Sequence, residues 1–368
     1  MNIIVSGGGT GGHIYPALAI AKEIKEIYKD KVNIYYVGTP DGMEKELAIR
    51  EGYTYRQVRV MGMPRNFSKE SIKSAKELLV GLNDSRKIIN ELNPKLIIAT
   101  GGYVCFPISY VGKLKKIPIC IHEQNAFPGI TNKILSRYAS KVFITFDESK
   151  KYFKYPERTI LTGNPIRKEL FLVDKVAVYK AFDLNSDKPI IVSFGGSGGQ
   201  NSLNDAMLSF IDSISELSDI QLIHITGKSH YDSFKESLEK KGVDLHENIK
   251  IFPYLYDLPK VLNIATLAIA SAGAITLAEI SALGIPSILI PKAYTAENHQ
   301  EYNAQVFEQA GASMVIKEKD LNGEVLTKTI YELINDKKKL LEMGHNAKKI
   351  MNTNATEIIV DELKQYLR

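Results

Sequence analysis

A chain of 368 residues, 44% hydrophobic and 24% charged, is long for a single core and has the makeup of two folded α/β domains rather than of a disordered segment. Its net charge of +5, from 47 basic and 42 acidic residues, is too small to indicate nucleic acid, though it leaves room for a local basic patch. No stretch approaches the ~20 consecutive apolar residues of a membrane span, and the N-terminus runs directly into strand-like residues, so neither a leader peptide nor a transmembrane helix is expected.

Strand-like runs come in chain order at Asn2 to Ser6, Asn33 to Val37, Tyr55 to Val60, Leu96 to Thr100, Pro118 to His122, Val142 to Phe146 and Thr159 to Thr162, with amphipathic stretches between them. Gly163-Asn164-Pro165 then breaks the pattern. The alternation resumes at Pro189 and continues through Gln221 to Thr226, Lys250 to Phe252, Leu267 to Ala270, Ser287 to Ile290 and Ser313 to Ile316, and a last helix is expected over roughly Lys337 to Arg368. This βαβ rhythm predicts an α/β fold of two Rossmann-like parallel-sheet domains facing a central cleft. Cys105 and Cys120 fall in apolar strand-like contexts and read as buried reduced thiols, which suits a cytoplasmic protein.

One segment occurs twice. Ile3 to His13 (IIVSGGGTGGH) and Ile190 to Gln200 (IIVSFGGSGGQ) agree at eight of eleven positions. A β-branched run ending in clustered glycines predicts a buried strand, a tight turn and a helix whose first N–H groups suit a phosphate. Gly195, Gly196, Gly198 and Gly199 are the candidate phosphate cradle. The first copy ends in His13, which can move a proton near neutral pH, and the second in Gln200, which cannot. Gly7, Gly9 and Gly12 also satisfy G-x-G-x-x-G, but no acid closes the second strand to hold a ribose, so a nicotinamide enzyme is disfavoured.

Parallel sheets bind ligands at the carboxyl ends of their strands, and the polar clusters follow strands here. Gly101-Gly102-Tyr103, His122-Glu123-Gln124-Asn125 and Gly163 to Arg167 do so in the first half. In the second half, Ser271 to Glu279 opens with small residues and becomes a helix, and a loop with Glu297, Asn298, His299 and Gln300 follows Pro291. Glu279 suits a ribose diol, although a solvated helix carboxylate is the commoner role for a lone Glu. His13 at a helix start is held neutral by the positive dipole end, and His122 with Glu123 is a second acid–base candidate. None of these has metal-ligand spacing, and no paired acid follows a strand, so a divalent ion on a diphosphate is not expected. Lys69, Lys73 and Lys76 interleave with Ile72, Leu78, Leu79 and Leu82, and Lys113, Lys115 and Lys116 flank Leu114 and Ile117. Either pattern reads as a solvated helix face or, if its apolar side is exposed, as a surface for an anionic bilayer.

The set GGGTGGH at Gly7 to His13, GGY at Gly101 to Tyr103, HEQN at His122 to Asn125, GNPIR at Gly163 to Arg167, GGS at Gly195 to Ser197, SAGAITLAE at Ser271 to Glu279 and NHQEYNA at Asn298 to Ala304 closely resembles the MurG family of bacterial peptidoglycan glycosyltransferases, glycosyltransferase family 28. The motifs run in order through nearly the whole chain. The resemblance implies a GT-B fold in which residues 1–164 plus about 352–368 form an acceptor-side, membrane-associating domain and residues 165–351 a UDP-GlcNAc-binding domain. It implies inverting transfer of N-acetylglucosamine from UDP-GlcNAc to the C4 hydroxyl of undecaprenyl-pyrophosphoryl-N-acetylmuramoyl-pentapeptide (lipid I), giving lipid II, without a metal or other cofactor. The partners implied are those two substrates, the cytoplasmic face of the cell membrane with its anionic lipids, and other cell-wall synthesis proteins, and no nucleic acid. By motif position, Asn125, Arg167, Ser197, Thr276, Glu279, His299 and Gln300 contact the donor, Thr10, Gly11 and Gly12 approach its sugar, and the uridine meets backbone groups near Leu255 and the Ala274–Ile275 segment. Gly101, Gly102, Tyr103, His13, His122 and Glu123 line the acceptor side, and the stretch from Lys69 to Leu82 matches the family's membrane-contact region.

The chain departs from the family pattern at Gln200, whose side chain is expected near the diphosphate, and at Val60 to Arg65, where the family loop is richer in glycine. No tryptophan is present for a membrane patch. The alternatives are another GT-B lipid glycosyltransferase, a UDP-sugar epimerase, or a non-catalytic UDP-sugar-binding module at the membrane. Among His13, His122 and Glu123, His13 is the first choice for the base, because the repeated turn keeps its glycines and loses its histidine.

Overall fold

The β-branched runs form thirteen parallel strands in two sheets in a computed structural model that describes residues 1–62, 64, 69–166, 168–196, 198–214, 219–243, 245–295 and 298–367. The chain divides into one unit of Met1–Ile166 with Asn352–Arg368 and another of Arg167–Met351.

In the first unit, β1 (Asn2–Ser6), α1 (Gly11–Tyr28), β2 (Asn33–Gly38), α2 (Met43–Arg50), β3 (Thr54–Gln57), α3 (Lys69–Leu92), β4 (Leu96–Ala99), α4 (Cys105–Leu114), β5 (Ile119–Glu123), α5 (Ile130–Leu135), β6 (Lys141–Ile144) and β7 (Thr159–Leu161) alternate along the chain. The sheet order is β3-β2-β1-β4-β5-β6-β7. Successive strand residues face opposite sides, and both sides are covered. Ile3 and Val5 pack in one core layer with Ile14, Ile20 and Ile24 of α1, while Ile4 joins Ile97 and Ile121 in a second layer with Ile88, Ile89 and Ile108.

The second unit runs α6 (Lys175–Ala181), β8 (Ile190–Phe194), α7 (Asn201–Ile214), β9 (Gln221–Ile225), α8 (Tyr231–Lys241), β10 (Ile249–Phe252), α9 (Leu258–Leu262), β11 (Leu267–Ala270), α10 (Ala274–Leu283), β12 (Ser287–Leu289), α11 (His299–Gln309), β13 (Ser313–Val315), α12 (Gly323–Ile334) and α13 (Lys337–Ile350). Its sheet order is β10-β9-β8-β11-β12-β13. Phe210, Ile214, Leu326, Ile330 and Leu333 fill the core beneath Ile191, Leu222 and Ile269. Asp174, Asn322 and Asp336 cap α6, α12 and α13 through their side-chain oxygens.

Two expectations are corrected. The third strand stops at Gln57, not Val60: the Val58 N–H still bonds the Gly38 carbonyl at 2.9 Å, but Val58 and Val60 are buried against α3, and the continued apolar pattern reflects that helix contact. The expected single C-terminal helix is two, broken at residues 351–354. The second, α14 (Ala355–Leu363), packs on α1 and puts Ile359, Val360 and Leu363 into the first unit's core. Cys105 and Cys120 are buried and free.

Candidate active site at two glycine turns

Strand order reverses direction at β1/β4 in one sheet and at β8/β11 in the other, and the two glycine turns leave from β1 and β8. A ligand crevice forms where the order reverses, so each turn occupies the topological binding point of its own sheet.

In the first unit, Gly7 to His13 lies against Gly101 to Tyr103 at the ends of the paired strands β1 and β4. The Gly8 N–H donates to the Gly101 carbonyl at 3.2 Å, and the Tyr36 hydroxyl to the Gly7 carbonyl at 2.7 Å. The approach is close enough that a Cβ on Gly102, whose φ is +86°, would stand 2.2 Å from the Gly8 carbonyl oxygen. Thr10 precedes α1, and Gly11 and Gly12 are its first residues, where N–H groups have no acceptor within the helix. His13 is half-buried. Its Nδ1 lies 3.0 Å from the Gly8 carbonyl oxygen, and a Cβ on Gly101 would meet its ring. Tyr103 is 40% exposed, beside Gly9 and Gly62.

Next along the sheet, His122 and Glu123 end β5 and are shut away, 0% and 1% exposed. His122 donates from Nε2 to the Gly163 carbonyl at 3.0 Å and accepts at Nδ1 from Gln124 Nε2 at 3.1 Å. Burial pushes its pKa down to about 4. Glu123 accepts from the Asn125 N–H and side-chain amide at Oε1, and from the Gly129 N–H and Asn132 at Oε2. Burial raises its pKa in spite of those bonds. Gln124 also donates to the Thr100 carbonyl at 2.7 Å, and the Thr100 hydroxyl to the His13 carbonyl at 2.7 Å. A continuous path thus runs from His13 through Thr100 and Gln124 to His122 and Gly163. Thr100 and Gln124 carry it, Asn132 supports it by donating to the His122 carbonyl at 3.1 Å, and sequence reading gave none of the three an individual role. Their signal was only position, Thr100 and Gln124 each directly after a strand and Asn132 within α5.

In the second unit, Gly195, Gly196, Gly198 and Gly199 lead from β8 into α7, with Gly196 and Gly199 at φ of +78° and +74°. A Cβ on Gly196 would reach Ser271 Oγ at 3.3 Å, so the turn adjoins the Ser271 to Gly273 segment that opens α10. A Cβ on Gly198 would meet nothing within 4 Å. Ala274, Ile275 and Thr276 form the first turn of α10, and Glu279 lies further along it, 8% exposed. His299 begins α11. Gln300 beside it accepts the Lys292 N–H at 3.0 Å, while Asn303 donates to the Ala272 carbonyl at 3.1 Å. Leu255 follows β10, the edge strand of the sheet. Arg167 and Ser197 lie outside the described residues, as do Met63, Arg65 and Glu297. Gln200 is 4% exposed and turned inward, its Nε2 donating to Glu318 Oε1 at 3.0 Å, so its side chain braces the turn. Among the described residues no group of three or more His, Cys, Asp or Glu could hold a metal ion.

Over 365 residues the chain is 46% identical to a Finegoldia magna UDP-N-acetylglucosamine–N-acetylmuramyl-(pentapeptide) pyrophosphoryl-undecaprenol N-acetylglucosamine transferase, covering 99% of this chain and 97% of that one. Family models for the glycosyltransferase family 28 N-terminal and C-terminal domains match residues 3–144 and 190–360. The chain belongs to glycosyltransferase family 28. A family 28 relative of the same name from Thermoanaerobacter sp. is 47% identical over 99% of both chains. Acinetobacter baumannii MurG, as a solved structure, superposes with a TM-score of 0.77 at 26% identity over 99% of each chain. The paired parallel sheets are those of the GT-B fold. A Neisseria meningitidis UDP-GlcNAc 2-epimerase bound to UDP-GlcNAc matches with a TM-score of 0.68 at 15% identity over 99% of this chain and 100% of that one, a likeness of fold alone.

Proposed function

We propose that this family 28 enzyme transfers N-acetylglucosamine from UDP-GlcNAc to the C4 hydroxyl of undecaprenyl-pyrophosphoryl-N-acetylmuramoyl-pentapeptide, with inversion, forming lipid II. The observation that carries the reading is the near full-length identity, 46% and 47%, to relatives named for this transfer. The two glycine turns supply the chemistry.

His13 is the general base. Because a carbonyl can only accept, the proton on His13 lies on Nδ1 towards Gly8, which puts the neutral ring's lone pair on Nε2. Nε2 takes the proton of the acceptor hydroxyl as its oxygen attacks C1 of the sugar. The C1–O bond to UDP breaks, and the electron pair leaves on the diphosphate. A single displacement of this kind inverts the anomeric carbon. His122 and Glu123 are positioning residues: buried and fully hydrogen-bonded, they hold the Asn125 loop and the Gly163 segment.

The second unit binds the donor. Gly195, Gly196, Gly198 and Gly199, with the start of α7, face the diphosphate, and Arg167 and Ser197 complete that set by family resemblance. Leu255, Ala274, Ile275 and Thr276 take the uracil, Glu279 the ribose, and His299 and Gln300 the sugar. In the first unit, family resemblance assigns Thr10, Gly11, Gly12 and Asn125 to the sugar and Gly101, Gly102 and Tyr103 to the acceptor. No described helix is long and apolar enough to cross a membrane. The protein reaches its lipid substrate from the cytoplasmic face through α3, whose Ile72 and Leu79 are 54% and 68% exposed beside Lys69, Lys73 and Lys76.

The test is incubation with UDP-GlcNAc and the lipid-linked acceptor in the presence of a chelator. UDP release that depends on the acceptor, together with a β-linked disaccharide, is expected. Release without the acceptor, or none on either substrate, would sink the reading, and activity lost to the chelator alone would show a metal requirement.

A further inference from the structure

In the loop after β12, Lys292 turns back onto the second glycine turn and donates from Nζ to the Gly199 carbonyl at 2.7 Å. Burial draws its pKa down, with the Glu318 carboxylate opposing. Glu318 is itself held on both sides. Oε1 accepts from Gln200 Nε2 and the Ser202 hydroxyl, and Oε2 from the Ala293 N–H at 2.7 Å. Burial works against its charge, yet these bonds keep its pKa below that of an ordinary glutamate. One carboxylate therefore ties the start of α7 to the loop that carries Lys292.

The other side of the turn is equally constrained. A Cβ on Gly199 would stand 2.2 Å from the Thr226 carbonyl oxygen and 3.0 Å from Gly227 Cα. Gly199 is thus clamped between the end of β9 and Lys292. Its peptide bond to Gln200 is trans, so the carbonyl and the Gln200 N–H point opposite ways. Gln200 immediately precedes α7 and accepts the Asn204 N–H at 3.0 Å, so orienting this peptide orients the helix opening.

We propose that Lys292 is a positioning residue for the donor diphosphate: by holding the Gly199 carbonyl, with Glu318 bracing the loop, it sets the direction of the N–H groups that the turn and α7 offer to the anion. The proposal rests on the second unit being the UDP-binding unit. A lysine that served folding alone would affect all ligands of the unit alike. A lysine that aims phosphate-binding N–H groups separates diphosphate affinity from nucleoside affinity.

The experiment compares UDP, by titration calorimetry, with uridine, by competition against UDP, on the full chain and on Lys292→Met and Lys292→Arg, with the thermal midpoint of each. K292M is expected to weaken UDP about tenfold, the effect of one charge-assisted hydrogen bond, while uridine stays within about twofold. K292R, which keeps the donor, is expected to recover most of the loss. If K292M does not fold, Glu318→Gln carries the same comparison. Unchanged UDP affinity in a folded variant, or a parallel fall for UDP and uridine, overturns the proposal alone. A wild-type chain that binds no UDP defeats it together with the donor-unit reading.

Discussion

The Nδ1 of His13 lies 3.0 Å from the carbonyl oxygen of Gly8, the acceptor being part of the same glycine turn. The turn therefore chooses the tautomer of its own histidine, which stands in the first turn of α1. His13→Gln keeps a donor of similar reach and removes the base. Turnover is expected to fall about a hundredfold or more, with the limb of the pH–rate profile that reports an ionising base abolished and UDP-GlcNAc affinity kept. A loss below about tenfold, too small for general-base catalysis, would move the role elsewhere.

Two glycines separate folding from binding. At Gly102 the φ of +86° and the 2.2 Å approach to the Gly8 carbonyl leave no room for a side chain. Gly102→Ala should cost about 2 kcal/mol or more, read as a lower denaturation midpoint. Gly198 is the converse, since nothing lies within 4 Å of a Cβ placed there. Gly198→Ala should leave the midpoint in place and weaken UDP, because the added methyl meets only a ligand that approaches the backbone. Undiminished UDP affinity would remove Gly198 from the phosphate cradle.

The strands and glycine turns were legible because a short β-branched run between turn residues leaves few alternatives, and because the repeat from Ile3 and from Ile190 displays its own shared constraint. What sequence did not reveal is carried by tertiary pairing. Thr100 reads as the end of a strand, yet its hydroxyl and carbonyl join His13 to Gln124. Lys292 reads as a loop residue, and only the fold brings it to Gly199. The apolar pattern at Val58 and Val60 likewise could not distinguish a strand from a loop lying on a helix.

His224 gives the second unit an acid limit. It is fully buried in β9, and burial pushes its pKa down to about 3 against an opposing pull from the Ser193 backbone. In the unfolded chain a histidine titrates near ~6.5, so below that pH the unfolded state binds a proton that the folded state refuses. Stability is complete above about 6.5 and declines as pH falls towards 3, by an amount on the order of 4 kcal/mol at full extent. His122 acts with the same sign in the first unit, its limit near pH 4, while Glu123 beside it, with a raised pKa, acts with the opposite sign. His224→Asn is thus the cleaner variant. Its stability deficit relative to wild type, measured by denaturant between pH 7 and pH 4, should shrink as the pH falls. A constant deficit would mean that His224 does not titrate on unfolding.

Ile72 and Leu79 stand seven residues apart on α3, hence on one face, and are 54% and 68% exposed. Lys69, Lys73 and Lys76 are exposed on the same helix, so a bilayer could take up the two apolar side chains while its anionic headgroups meet the lysines, at about 1 kcal/mol for each basic residue. Because both contributions are needed, they can be separated. Ile72→Ser with Leu79→Ser should reduce co-sedimentation with phosphatidylglycerol vesicles while leaving UDP affinity intact. Raising the salt should weaken the wild type as well, since the lysine contribution is screened within about 8 Å at physiological ionic strength. If α3 is merely a solvated face, vesicle binding will be the same in the double variant and the wild type. If α3 delivers the enzyme to its acceptor, the variant should lose activity on acceptor embedded in vesicles and keep it on a short-chain soluble analogue.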